Sequence, residues 1–275
     1  MMGEMMKFKN AIAITSGKGG VGKTNISVNL ALALQKTGKK VTLFDADVAL
    51  SNAHIVMGVQ PAQTLAEFVA EKKSILDVGV KGPLGVKLIS GGSGLLELTN
   101  LSAEKRAAII RSFRELEDDC DYLVVDTAAG IDDNVLEFVQ ACNRIIVVVV
   151  GEPAAFIDAY ACIKVLHQAN GVRNFDIVVN RVRDDAHGAD VFARFKGIVD
   201  RFLEANLHHV ANIPEDAQLH ASVSRCNPVV VSQPNARSAR AFEKLAKLID
   251  GASAPPTDSS EAFADAPKRK NGSTR

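Results

Sequence analysis

"SGKGGVGKTN", residues 16–25, decides the fold. It follows the apolar run "AIAI" (11–14) and leads into the helical pattern "GKTNISVNLALAL" (22–34). Gly17, Lys18, Gly19, Gly20, Val21, Gly22, Lys23 and Thr24 match G-x-x-x-x-G-K-[ST]. Glycines let a backbone turn its N–H groups toward an anion, and the helix that follows adds the positive end of its dipole. In such a loop the lysine at position 23 reaches the β- and γ-phosphates, and the Thr24 hydroxyl ligates Mg²⁺. A strand before the loop and a helix after it favour a nucleotide site over a plain glycine-rich turn. Lys18 is left over, because Lys23 already serves the cradle.

Working outward, apolar runs alternate with helical patterns. "AIAI" (11–14), "VTLF" (41–44), "VKLI" (86–89), "YLVV" (122–125), "RIIVVVV" (144–150), "FDIVV" (175–179) and "LHHVANI" (207–213) read as strands. Helical segments are expected near 24–37, 64–72, 102–118, 132–141, 154–169, 187–204 and 236–249. Several strands are apolar throughout, as strands covered on both faces are. The pattern predicts an α/β P-loop NTPase with a mainly parallel, twisted sheet flanked by helices on both faces. Ligands of such sheets sit at the carboxyl ends of strands. Residues 1–250 read as one domain. Residues 251–275, "GASAPPTDSSEAFADAPKRKNGSTR", read as a disordered tail with too little apolar surface to order itself.

Bulk composition narrows the function. The 275 residues are 47% hydrophobic, enough for a sizeable core. The 32 acidic residues balance 32 basic ones, so nothing global points to nucleic acid or an anionic membrane. Cys120, Cys142, Cys162 and Cys226 are scattered without C-x-x-C spacing and read as reduced thiols. "MMGEMMKFKN" lacks a signal peptide's apolar stretch, and no uncharged apolar run reaches the roughly 18 residues of a membrane span. The expected compartment is the cytoplasm, with polar or peripheral membrane placement left open.

Carboxylates and amides fall where the topology wants them. "LFDADVALSN" (43–52) ends a strand with Asp45 and Asp47, which can face one site if the chain leaves the sheet there. "YLVVDTAAGI" (122–131) closes an apolar strand on Asp126, a Walker B pattern whose carboxylate holds Mg²⁺ through water. "VVVVGEP" (147–153) brings Glu152 to the end of the next strand. "VVNR" (178–181) ends with Asn180 and Arg181, and the asparagine amide can pair with an adenine edge. "NIPED" (212–216) carries Pro214 and Glu215, with Pro214 able to frame a purine.

"KGGVGKT" resembles the deviant Walker A motif of the MinD/ParA family of P-loop ATPases. The resemblance spans about residues 10–250 and implies ATP and Mg²⁺ as cofactors. It gives Lys18 a place: across an ATP-dependent homodimer interface, against phosphate in the partner, acting much as an arginine finger does. It implies that Asp45 lies near Mg²⁺, that Asp47 positions the attacking water, and that Glu152 lies near the interface. It assigns Asn180, Arg181, Pro214 and Glu215 to the adenine pocket.

"GKTNISVNLALAL", "VVDTAAGI" (124–131), "GEPAAFIDAYACIKVL" (151–166) and "VDRFLEANLHHVANIPED" (199–216) resemble the FlhG/FleN branch, with Asn25 and "DTAAGI" weighing most. That resemblance implies control of flagellar number and placement. The partners it implies are a flagellar transcription activator, the GTPase FlhF or flagellar switch components. Ala49 stands where a glycine is expected and His54 where an acid is expected. The N-terminus is shorter than the "DQA…LR" segment many FlhG proteins use on FlhF.

Other classes of the same fold stay in view. A positioning ATPase for the division site, chromosome or other cargo would need a basic face if it bound DNA, and "VNRVR" offers only Arg181 and Arg183. Specific DNA binding is not expected. An iron–sulfur carrier would need a close cysteine pair, and a tyrosine kinase a tail tyrosine. Tyr122 and Tyr160 are the only tyrosines. A membrane-docking last helix would be amphipathic with a basic face. Phe242, Leu245, Leu248 and Ile249 instead predict one stripe toward the core.

Overall fold

The long apolar runs become strands because both of their faces are covered. The computed structural model describes residues 8–47, 51–70, 72–91 and 101–251. Among these, the strands are β1 (Ala11–Thr15), β2 (Val41–Asp45), β3 (Val80–Lys81), β4 (Lys87–Ile89), β5 (Tyr122–Asp126), β6 (Arg144–Val150), β7 (Asn174–Val182) and β8 (Asn206–Pro214). They form one sheet in the order β3-β4-β2-β5-β1-β6-β7-β8. β3 runs antiparallel to β4, and the other neighbours are parallel.

The helices are α1 (Lys23–Lys36), α2 (Ala53–Met57), α3 (Leu65–Val69), α4 (Ala103–Ser112), α5 (Asp133–Gln140), α6 (Pro153–Asn170), α7 (Asp185–Val199), α8 (Ala217–Ser224), α9 (Val229–Ser232) and α10 (Arg237–Gly251). Strand alternation divides the core in two. Ala11, Ala13, Leu123, Val125 and Val147 pack with Phe138, Phe156 and Phe195 of α5, α6 and α7. Ile12, Ile14, Val124 and Val148 point the other way, onto Ile26 and Leu30 of α1 and Phe242 of α10. From β1 the chain crosses to β2 on one side, while β6, β7 and β8 build outward on the other. The crevice where these connections part lies above the carboxyl end of β1, and the loop 16–25 occupies it.

Local chemistry sets several boundaries beyond the periodicity. Asp184 accepts from the His187 N–H at 2.7 Å and starts α7 earlier than the apolar pattern suggests. Thr64 and Glu67 form a reciprocal capping box on α3. The segment expected to be helical over 102–118 divides into α4 and a 3-10 turn, Phe113–Leu116. The short α2, α8 and α9 and the two-residue β3 have no periodic signature, since none is long enough to display one.

Two expectations about the end of the chain need adjustment. Gly251, read as the first tail residue, closes α10; residues 252–275 lie outside the described residues. Leu248, placed in the core stripe, is 42% exposed, while Phe242, Leu245 and Ile249 are buried with Ala239 and Ala246. The stripe follows 3.6-residue geometry around those five positions, and Leu248 falls outside it. Among the described residues no helix is long and apolar enough to cross a membrane.

At the amino-terminal end of the sheet, Arg144 and Asp176 form an ion pair at 2.8 Å with both side chains only 7% exposed. The Arg144 guanidinium also donates to the Ile249 carbonyl, tying the end of α10 to β6. Removing one partner of a buried pair strands the other charge. Arg144→Met should therefore cost about 3–5 kcal/mol, read from the urea midpoint. Adding Asp176→Leu should recover most of that loss; failure to recover would mean the arginine stem, not the charge pair, matters.

Candidate nucleotide site

The loop between β1 and α1 is shaped by close approaches. A Cβ on Gly17 would lie 1.9 Å from the Asp158 carbonyl oxygen of α6, so only glycine lets that helix pack here. Gly20 and Gly22 have φ of 77° and 99°, left-handed values that let the backbone curl round an anion. Val21 is buried and anchors the loop to the core, while Gly19 and Gly20 border open space. Ser16 donates to the Lys18 carbonyl at 2.7 Å and tightens the entrance.

Lys23 begins α1 and is 8% exposed. Burial pushes its pKa down, while the carboxylates of Asp126 and Asp47 pull it back up. Asp45 and Asp126 are register partners at the ends of β2 and β5, so their side chains leave the sheet together. Both are buried. Burial raises Asp45 to about 7, with Asp126 as the next cause. Burial also raises Asp126 to about 6, against hydrogen bonds from Thr24 and Ser27 and the charge of Lys23.

Asp45 turns its oxygens onto its own connection. They accept from the Ser51 hydroxyl at 2.5 Å and from the backbone N–H groups of Ala53 at 3.0 Å and Asp47 at 3.2 Å. Ser51 also touches the Ser90 hydroxyl at 2.5 Å. Asp45 thus clasps the segment that carries Asp47. Residues 48–50, including Ala49, lie outside the described residues. His54 sits on α2, where burial lowers its pKa.

Lys18 and Glu152 meet at 3.7 Å with both side chains about half exposed. Glu152 is the residue immediately before α6, and Pro153 takes the first helical position. At the end of β7, Asn180 and Arg181 lie directly against the loop: the Asn180 amide donates to the Val21 carbonyl and the Arg181 guanidinium to that of Gly20, each at 2.7 Å. Pro214 ends β8 and is buried; Glu215 is exposed and donates its N–H to Val182 at 2.8 Å. Every residue singled out in the sequence for this site therefore gathers at one end of the sheet.

Three hydroxyls there escaped the sequence reading. Ser27 is fully buried and lies 3.0 Å from the Lys23 carbonyl and 2.8 Å from Asp126. Ser51 and Ser90 support Asp45. Ser27 did leave a trace, as a polar residue inside an apolar helix. Ser51 and Ser90 left none, because a serine near a loop is ordinary.

The residues fit a nucleoside polyphosphate with a divalent cation. A glycine-rich loop at a helix N-terminus offers N–H groups to an anion. The paired Asp45 and Asp126, with Lys23 as the one buried lysine among the described residues, leave acidic charge for a cation to offset. The buried Asn25 side-chain oxygen at the start of α1 also has no partner among the described residues.

Known proteins resemble this chain over most of its length. A ParA family model, described as NUBPL iron-transfer P-loop NTPase, matches residues 7–250. The antiactivator FleN of Pseudomonas aeruginosa is 40% identical over 239 residues, 87% of this chain and 85% of that protein. The flagellum site-determining protein YlxH of Helicobacter pylori is 31% identical over 86% of this chain and 81% of its own length. The septum site-determining protein MinD of Pyrococcus horikoshii, complexed with Mg-ADP, superposes with a TM-score of 0.72 at 26% identity, covering 88% of this chain and 96% of that one. With the loop, the acidic pair and the sheet order all in place, the chain belongs to the MinD/ParA family of P-loop ATPases, in the branch that holds FleN.

Proposed function

We propose that this ATPase controls flagellar number or placement, switching through an ATP-bound homodimer that engages flagellar regulators or assembly proteins. The observation that carries this is the 40% identity to an antiactivator over most of both chains. A flagellum site-determining relative supports it. An antiactivator acts on an activator, so a flagellar transcription activator is the first partner the reading names. FlhF and flagellar switch components follow from the same resemblance. The family model's description mentions iron transfer, but Cys120, Cys142 and Cys162 are each buried in this chain and only Cys226 is exposed.

Chemically, the site reads as ATP hydrolysis. The N–H groups of the Gly17–Asn25 loop receive the phosphates, and Lys23 neutralises the β- and γ-groups. Thr24 and Asp126, with Asp45 behind them, would hold Mg²⁺, which would offset the negative charge of the phosphates when bound. Asp47 orients the attacking water. Pro214, Glu215, Asn180 and Arg181 enclose the base. Lys18 is held by its own Glu152 in the single chain. An exposed pair of this kind is worth little and breaks readily, so Lys18 is available to a partner's phosphates once two copies meet.

The acidic pair gives a signed pH test. Asp45 and Asp126 have folded pKa values of about 7 and about 6, above the ordinary 3.8. The folded, metal-free protein therefore keeps protons that the unfolded chain has released. The stability contributed by this pair is fully present below about pH 4 and is lost as pH rises toward 7. The melting temperature in EDTA should drop between about pH 5 and pH 8, and Mg²⁺ with ADP should flatten that drop. An unaltered slope would remove these carboxylates from the cation site.

Lys18→Ala should leave the monomer folded and abolish ATP-dependent dimerisation, read as mass by light scattering. An unchanged dimer would refute the trans role. At the cell level, deleting the gene should give extra or misplaced flagella by electron microscopy, corrected by wild type and not by Lys23→Ala. Normal flagella in the deletion strain would reject the flagellar reading and turn attention to the division site and chromosome.

A further inference from the structure

The end of β7 grips the phosphate loop more firmly than recognition of a purine requires. Two successive loop carbonyls are held from outside, Gly20 by the Arg181 guanidinium and Val21 by the Asn180 amide, both at 2.7 Å. In a trans peptide the carbonyl and the following N–H point in opposite directions. Holding the Gly20 and Val21 carbonyls outward thus turns the N–H groups of Val21 and Gly22 inward. Those inward donors are what an anion at this loop needs.

The grip is built at some cost. Arg181 has φ of 57°, a left-handed value that a residue with a side chain adopts only with strain. It lies at an irregularity in the β7–β8 ladder, where Asn180 pairs with Ile213 and Val182 already pairs with Pro214. The Asn180 side-chain oxygen accepts the Arg181 N–H at 2.9 Å and stabilises that bend. Asn180 is 7% exposed, and its amide makes both contacts from within the fold. The fit is reciprocal. A Cβ on Gly22 would lie 2.4 Å from the Asn180 amide nitrogen, so the second motif glycine leaves room for the asparagine.

We propose that the Asn180–Arg181 bulge braces the phosphate loop, making both side chains positioning residues for the polyphosphate whatever base is attached. The proposal rests on the nucleotide reading of the loop and adds a role distinct from adenine contact. Strain at the bend is offset by bonds that hold the loop in its anion-accepting form. The brace also joins the base side of the site to its phosphate side through one pair of adjacent residues.

Inorganic tripolyphosphate, which has no base, separates the two roles. Its affinity and that of ATP are measured by calorimetry on wild type, Asn180→Ala and Arg181→Ala. Losing one such hydrogen bond should weaken both ligands by about tenfold in Asn180→Ala and about three- to tenfold in Arg181→Ala. A loss confined to ATP, with tripolyphosphate within about twofold of wild type, would overturn the brace and leave base contact alone. Wild type that binds ATP but not tripolyphosphate would also overturn it, since the loop would then not hold phosphates independently of the base. Wild type that binds neither would overturn the nucleotide reading itself. Arg181→Gly guards against a folding artefact, because it relieves the φ strain and removes the guanidinium. It should melt at a temperature no lower than wild type and still bind tripolyphosphate more weakly; wild-type affinity in that variant would count against the brace.

Discussion

The carboxyl end of the sheet is organised around one electrostatic constraint: two buried carboxylates and one buried ammonium share a small volume. Asp45 and Asp126 are register partners on adjacent strands, and Lys23 lies on the helix that starts beside them. Burial opposes charge on all three groups. The arrangement persists because each carboxylate has hydrogen-bonding support from its own surroundings and Lys23 is held by their charge. Ser27 and Thr24 serve Asp126; Ser51 and the Ala53 N–H serve Asp45. Such a site is poised for a ligand that brings both negative phosphate and a positive ion.

The clasp at Asp45 extends this charge problem to the connection that follows β2. Its oxygens hold the start of α2 and the N–H of Asp47, so the connection carrying Asp47 is tied to the acidic pair. A change in charge beside Asp45 alters what those bonds compete against. Lys18 and Glu152 form an exposed pair at the loop's entrance, easily exchanged for other partners. One site thus combines a buried half with an exposed, exchangeable half. That division suits a protein whose nucleotide state must be felt by other molecules.

Packing around the loop explains why its glycines are not interchangeable. Gly17 admits the backbone of α6, and Gly22 admits the side chain of Asn180. Neither demand comes from phosphate. Both come from elements far along the chain, α6 and β7, that close on the loop at its two motif glycines. The motif therefore records tertiary contacts as well as ligand chemistry.

Much of this was legible in the sequence. The unbroken apolar runs fixed a covered, parallel sheet, since strands buried on both faces need apolar side chains at every position. The glycine loop, its lysine and the acids at strand ends pointed to one end of the sheet, because chain connectivity places those ends together in any such sheet. The short elements α2, α8, α9 and β3, and the exposure of Leu248, were hidden; a few residues carry no period, and helix phase depends on what the helix packs against. Only the tertiary structure brought Ser27, Ser51 and Ser90 to the carboxylates and turned Asn180 and Arg181 onto the loop. A partner 99 residues away for Ser27, or 159 and 161 away for Asn180 and Arg181, is decided by how the strands align, and local sequence holds no record of that alignment.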